Sequence, residues 1–298
     1  MDEQFSVREA LESGMTKGQL RRLPAPYRGA RDVEAEDTTD DPFEQTRRAT
    51  LRACRAYRPI APRDYAFSHL TACRILGIPV PTRFQAEIRV EVSVPGSSQP
   101  PRRAGVVGHR GAEASVTVGE LPVVAPEVAW LQMASRFTVD EMVIAGDFLV
   151  RRKRPLSSLG DLRRSVRDRT GMRGIAVARA ALDDVRAGTD SPAESRLRLA
   201  LIRGGLPEPV VGYEVRHEGA WVGTPDLAYI AERIAIEYEG ANHRLNQRVY
   251  EEDIYRREMF GRADWHVHLV TAQRMRNPTA VVAAVEALLA ERRPRERS

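Results

Sequence analysis

Two strand-like runs, residues 221–229 and 233–239, are joined by so short a connection around Ala231 and Glu232 that they must return antiparallel, as a β-hairpin. A turn centred there sets Asp226 opposite Glu237. Strand side chains alternate between faces, so Ile234, Ile236 and Tyr238 share one side while Ala235, Glu237 and Glu239 share the other. Asp226 takes the face of its cross-strand partner, and three carboxylates converge. Directly opposed like charges destabilise a sheet, and carboxylates this close raise one another's pKa unless positive charge lies between them. A hard divalent cation such as magnesium takes oxygen ligands, commonly one or two carboxylates with water and phosphate. The arrangement suits metal-assisted phosphodiester hydrolysis; the alternative is an exposed strand face with ordinary solvated acids.

Around this hairpin the chain reads as a fresh α-β-β-β-α-β-α series after Gly188, with an amphipathic helix over 192–203 and a first strand over 211–216. Ser191-Pro192-Ala193-Glu194 is a helix start, with proline at the first helical position and capping-box spacing to Glu194. Glu194 is therefore either a helix cap or a further acid reaching the metal site, and the sequence leaves both open. Asp253 and Arg256 lie one helical turn apart, the spacing of an intrahelical ion pair. His266 and His268 alternate with Val267 on a final strand, the pattern of half-buried strand residues.

Upstream, Ser6 caps a short helix that Gly14 stops, and Thr16 to Gln19 has the capping-box pattern of a second. Pro24, Pro26 and Gly29 break it, and the basic run Tyr27-Arg28-Gly29-Ala30-Arg31 follows like a wing. Residues 1–41 thus suggest a winged-helix-like DNA-binding module with Arg28 and Arg31 as phosphate contacts; two unrelated short helices in an N-terminal arm are the plain alternative. Helices are expected over 42–57, 68–76, 126–135, 139–151, 158–167 and 174–187, and strands over 87–94, 105–110 and 115–124. These make a mixed α+β middle domain, 42–188. The surroundings of Ser68 and Trp130 read as core packing without chemistry. The fold class is α/β (α+β), the last domain, 189–291, having a central mixed sheet flanked by helices, and a basic tail over 292–298 ends the chain.

Hydrophobic residues make up 42% of the 298, enough for a sizeable core, so wholesale disorder is not expected. The net charge of +5 and pI near 9.5 permit nucleic-acid binding without requiring it. Only Lys17 and Lys153 are lysines; the arginine bias fits phosphate recognition or genomic base composition equally. Cys54 and Cys73 have no metal-ligand spacing and read as reduced core residues. With no signal-like start and no apolar run of spanning length, the expectation is a soluble, cytoplasmic protein without a membrane partner.

Several separated motifs carry a family resemblance: Ser-Pro-x-Glu-x-Arg-Leu-Arg from Ser191, Gly-Leu-Pro-x-Pro from Gly205, Asp-Leu-Ala-Tyr from Asp226, Glu-Tyr-Glu-Gly from Glu237 with His243, and Asp-x-x-Arg from Asp253 before Trp265. Together they resemble a bacterial domain family of unknown function, similar to the very-short-patch-repair endonuclease and of the restriction-endonuclease-like PD-(D/E)XK superfamily. Leu23 to Gly29, Ser68-His69-Leu70-Thr71-Ala72 and Gly105 to Arg110 resemble the region before it in proteins with the winged helix of type IV toxin–antitoxin (AbiEi-like) antitoxins. The resemblance implies Asp226 and Glu237 as ligands of Mg2+ or Mn2+, with Glu194 assisting. It puts the superfamily's lysine position at Glu239, and residues 189–291 hold no lysine. His243 or Arg244 are the nearest replacements, as general base or phosphate contact, unless His243 is a polar loop residue. The resemblance also implies a basic residue at Leu269, for which His266 and His268 are partial replacements unless they are ordinary half-buried strand residues.

The expectation is a DNA-directed, metal-dependent endonuclease with catalytic Asp226, Glu237, Glu239, His243 and Glu194, bound to duplex DNA through Arg28, Arg31 and Arg244. The alternative is a non-catalytic DNA-binding regulator or antitoxin that retains the nuclease fold. A cognate toxin or other protein partner for the middle domain is a third reading.

Overall fold

The computed structural model describes residues 4–33, 39–111, 114–239 and 247–293. The fold is mixed α and β. The chain divides into two compact units, the first of residues 1–145 and 160–182, the second of 146–159 and 183–298.

The first unit opens with β1 (Gln4–Ser6), α1 (Val7–Glu12) and α2 (Lys17–Leu20), and β2 (Ala30–Asp32) pairs antiparallel with β1. Both expected capping boxes form, Ser6 with Glu9 and Thr16 with Gln19. Arg31 is not free as a wing residue: its guanidinium donates to the carbonyls of Leu20 and Ala30, at 2.7 and 2.8 Å. Arg28 is exposed.

After α3 (Pro42–Tyr57) comes a six-stranded sheet in the order β5-β6-β4-β3-β8-β7. Its strands are β3 (Ala66–Phe67), β4 (Val90–Val94), β5 (Arg102–Arg103), β6 (Val106–Arg110), β7 (Ser115–Val118) and β8 (Leu121–Val124). The expected single run 115–124 is a hairpin, because Val118 pairs with Leu121 across Gly119, whose φ of 59° a glycine adopts without strain. α4 (His69–Leu76) and α5 (Pro126–Gln132) pack in this unit, where Cys54 and Cys73 are buried as free thiols. α6 (Val139–Leu149), α7 (Leu159–Arg167) and α8 (Ile175–Asp184) follow.

The second unit is built on a four-stranded sheet, β14-β13-β12-β9. Strands β9 (Val210–Val211), β12 (Leu227–Tyr229) and β13 (Ile234–Glu239) run antiparallel in turn, and β14 (His266–Thr271) adds parallel to β13. Helix α9 (Pro192–Arg203) and helix α11 (Pro278–Arg292) cover one face, meeting Leu227, Ile234 and Ile236. Leu197 and Leu201 of α9 are wholly buried there, each contributing about 1.5–3 kcal/mol of apolar burial. Gly204 keeps this packing close: a Cβ on it would stand 2.6 Å from a methyl of Val282. Helix α10 (Gln247–Arg262) covers the other face, with Phe260 against Ala228 and Ala235.

Two strand expectations need correction. Residues 211–216 do not form one strand, because Gly212 turns at φ 67°. Nor do residues 221–229: β10 (Val215–His217) and β11 (Ala220–Gly223) make their own hairpin, and β12 starts afresh after Pro225. The two-residue turn between them, Glu218 and Gly219, has φ positive at both positions, the backbone that matches strand twist. Among the described residues no helix is long and apolar enough to cross a membrane.

Candidate active site

The β12–β13 register pairs Leu227 with Ile236, Ala228 with Ala235 and Tyr229 with Ile234. Asp226, one residue before β12, is thereby brought to Glu237, and its Oδ2 accepts the Tyr238 N–H at 2.7 Å. Glu237 accepts a hydrogen bond from the Arg256 guanidinium of α10. Helical spacing makes Asp253 a partner for Arg256, but the Asp253 side chain lies outside the described residues; what the structure describes is Arg256 reaching across to the hairpin.

Glu194 arrives from the first turn of α9. Ser191 Oγ accepts the Glu194 N–H at 3.2 Å, and Glu194 Oε2 accepts the Asp190 N–H at 2.8 Å. The cap and the acid are therefore one residue: its carboxylate holds the backbone one position before the cap while lining the same cleft as Asp226 and Glu237. The cleft, of about 480 Å³, is also lined by Glu239, Arg256 and Arg257.

Two more cations come from a segment that the sequence reading left outside this domain. Arg152 and Lys153 line the cleft from the loop after α6. Asp190 fixes that loop, its carboxylate accepting Arg152 Nε and the Lys153 N–H, each at 3.1 Å. Below it, Arg198 of α9 binds Asp147 at 2.8 Å with both side chains wholly buried, tying residues 146–159 to the unit. The absence of lysine from residues 189–291 is thus not its absence from the cleft. Nothing local marks Lys153 as functional; the only hint was its rarity.

Burial, then the charge of Glu237, pushes the Asp226 carboxyl up to about 6, against the Tyr238 N–H and the charges of Arg256 and Arg152. Burial, then the charge of Asp226, pushes Glu194 up to about 7, despite the Asp190 N–H and Ser191. Burial also acts to raise Asp190, but hydrogen bonds from Arg152 and Lys153 outweigh it and hold that carboxyl low. The cleft thus has spare negative charge on its floor and positive charge on its walls.

The remaining expected residues fall as follows. His243 and Arg244 lie outside the described residues. His266 and His268 pair with Ile234 and Ile236, on the face turned away from Glu237, while Val267 and Leu269 line the cleft. They do not compensate at the site, because strand alternation sends them to the other side. Burial lowers the pKa of His268, with Arg274 and His266 adding to it.

One side-chain group outside this cleft was missed altogether. Among the described residues, His69, Glu91 and His109 form a group whose ligand atoms all lie within 4.8 Å of one another. The Asp226 cluster does not meet that spacing among the described residues; a magnesium site needs only one or two carboxylates, so Asp226 and Glu237 suffice as a donor set.

No family model and no solved structure matches the chain significantly. Two curated proteins of Mycobacterium tuberculosis, described as uncharacterized proteins MT2308 (strain CDC 1551 / Oshkosh) and Rv2248 (strain ATCC 25618 / H37Rv), are similar to it. Each is 34% identical over 101 residues, covering 30% of this chain and 37% of the relative. The chain spans a little over a third of the length of the relatives it matches.

Proposed function

We propose that the second unit is a divalent-cation-dependent endonuclease acting on DNA. The observation that carries the reading is Asp226 brought to Glu237 by the hairpin register, in a cleft walled by Arg152, Lys153, Arg256 and Arg257. Carboxylate oxygens are the donor set of Mg2+ or Mn2+, and the raised proton affinity of Asp226 and Glu194 marks a floor that favours added positive charge. A bound ion would supply polarisation of the phosphate and a more acidic water, with Asp226 and Glu237 holding it.

The chain's own residues account for the rest. Glu194 is near half-ionised at neutral pH and is poised to take a proton from an attacking water. Lys153, largely exposed and 3.6 Å from Asp190, is free to swing onto a phosphate and offset the charge that develops there. It replaces the cation that Glu239 does not provide. Arg256 and Arg257 would contact flanking phosphates. The test is nicking of supercoiled plasmid by the full chain with Mg2+ or Mn2+. Activity is expected to disappear in Asp226→Ala and Glu237→Ala with the fold intact, and undiminished activity in both overturns the reading.

A specific observation favours a second reading, a non-catalytic DNA-binding regulator of antitoxin type, with a cognate toxin or other protein as partner. Glu237 is already paired with Arg256, and Glu239 stands where a lysine is expected. Calorimetry finding no Mg2+ or Mn2+ site, with salt-dependent DNA binding lost in Arg28→Ala, would support it. Arg31 is unsuitable for that test, because its guanidinium holds two backbone carbonyls.

A further inference from the structure

We propose that His69, Glu91 and His109 of the first unit form a zinc-binding site, on residues that take no part in the Asp226 cleft. The inference does not depend on the nuclease reading.

The sheet brings the three residues together. Strand β3 ends at Phe67, which pairs with Val92, and the Ser68 N–H continues onto the Glu91 carbonyl at 2.9 Å. His69 follows directly, at the start of α4. In the parallel pair β4–β6, Glu91 stands beside Val107 and Ser93 beside His109, so Glu91 and His109 are diagonal neighbours on one face. Residues 69, 91 and 109 are far apart in sequence, with no motif spacing, which is why sequence reading found packing there and no chemistry.

Four features separate this group from a chance cluster. First, its ligand atoms lie within 4.8 Å of one another. Two donors about 2.1 Å from a tetrahedral zinc are roughly 3.4 Å apart, so side-chain rotation of about an ångström closes the set. Second, His109 Nε2 is buried without a hydrogen-bond partner, and the nearest acid oxygen, Glu91 Oε1, is 3.9 Å away. A buried ring nitrogen without a partner is rare and calls for a ligand. Third, His69 has φ 50°, a left-handed backbone that a side-chain-bearing residue seldom adopts, and its N–H is tied to Gln132 Oε1 at 2.8 Å. Strain of this kind persists where the surroundings hold a side chain for a purpose. Fourth, both rings remain partly exposed to an arriving ion; their centroids lie 3.7 Å apart in a stack, so one imidazole turns out of it to bring both in-plane lone pairs onto the ion.

The chemistry of the donors selects the metal. Two imidazoles and one carboxylate suit zinc, leaving a fourth position for water, whereas magnesium prefers oxygen donors throughout. Glu91 is oriented from behind, its Oε2 accepting the Leu70 N–H at 2.7 Å and its Oε1 accepting Arg136 at 3.1 Å. Arg136 is also held by Glu87 at 2.7 Å, which shares its charge and leaves Glu91 able to turn towards an ion. Hydrogen-bonded carboxylates of this sort are the usual outer support of a zinc ligand.

The experiment uses the full-length chain, stripped with chelator and titrated with ZnCl2 by calorimetry, with bound metal counted by plasma emission spectrometry. One tightly bound zinc per chain is expected in the wild type and in Asp226→Ala. At least a hundred-fold weaker binding is expected in His109→Ala and His69→Ala. Cobalt substitution should give visible d–d bands in the wild type that both histidine variants lack. His69→Ala is read only if its circular dichroism matches the wild type; His109→Gln, on a half-exposed strand position, is the second variant. Absence of stoichiometric zinc in the wild type overturns the proposal, and so does wild-type affinity in His109→Gln. Zinc lost from Asp226→Ala but kept in the histidine variants would assign the ion to the other cleft and equally overturn it.

Discussion

The two units each bury a carboxylate beside an arginine, with opposite results. In the first, burial acts to raise Glu91, but the His109 and His69 rings, the Leu70 N–H and Arg136 outweigh it, and the carboxyl sits below its ordinary range. In the second, burial acts in the same direction on Asp226 and Glu194, and here it prevails, because Glu237 and Asp226 add like charge faster than Arg256 removes it. Burial is common to both; the ratio of carboxylates to cations and donors is not. One acid among nitrogen donors makes a nitrogen-rich site with little spare charge, suited to zinc. Several acids sharing a cleft make a hard, oxygen-rich site with spare charge, suited to magnesium or manganese.

The sharpest way to test what fastens the second unit is to unbalance a pair that is currently balanced. Arg198 and Asp147 are both wholly buried, and burial raises Asp147 even with Arg198 and the Arg186 N–H opposing it. Arg198→Ala strands that acid and is expected to cost about 3–5 kcal/mol in urea unfolding. A double variant, Arg198→Met with Asp147→Leu, should recover most of that, since two apolar side chains leave no charge behind. A small loss in Arg198→Ala would mean that the segment bearing Lys153 is not held by this pair.

Next in size is the catalytic contrast. Asp226→Ala should lower metal-dependent nicking by at least about 10²–10³-fold, the cost of removing a principal charge-stabilising element. Glu91→Ala should leave nicking within about threefold, since zinc-type and magnesium-type sites act on different residues. Equal losses in both would break the comparison. A smaller effect belongs to Lys153→Ala, expected to reduce activity about 10–100-fold with unfolding unchanged. Lys153→Arg should restore part of it. No change in Lys153→Ala would show that the cleft works without its nearest lysine.

The sequence disclosed the hairpin because a two-residue turn leaves one register, and that register alone brings Asp226 to Glu237. It disclosed where α3 and α9 begin, because Asp41 and Ser191 cap them and Pro42 and Pro192 open them. It did not disclose that residues 211–216 and 221–229 break, since Gly212 and Pro225 act through backbone angles that alternation does not report. Nor could it reveal Lys153 at the cleft or His69 beside His109: those neighbours are made by tertiary packing between segments far apart in the chain. Arg256 shows the same limit in miniature, because helical spacing reports only neighbours along the helix, whereas the fold brings it Glu237 from the hairpin.

The smallest expected effect is the most direct reading of the charge imbalance. An acid whose folded pKa is raised binds its proton more tightly folded than unfolded, so it contributes stability at low pH that is lost as pH rises through the folded value. For Asp226, at about 6 folded against 3.8, and Glu194, at about 7 against 4.5, the loss falls between roughly pH 4 and pH 7. Glu91, lowered on folding, has the reverse slope: its contribution is present above its ordinary pKa and is lost on acidification. With chelator present, Asp226→Asn and Glu194→Gln should therefore raise the Tm at pH 8 by a few degrees, at about 2–4 °C per kcal/mol, and leave it unchanged at pH 4. Added Mg2+ should erase the difference for Asp226→Asn by stabilising the wild type and not that variant, because Asp226 holds the ion only as a carboxylate. Variants no more stable than wild type at pH 8 would mean that Asp226 and Glu194 are not short of positive charge, and the contrast with Glu91 would fall with them.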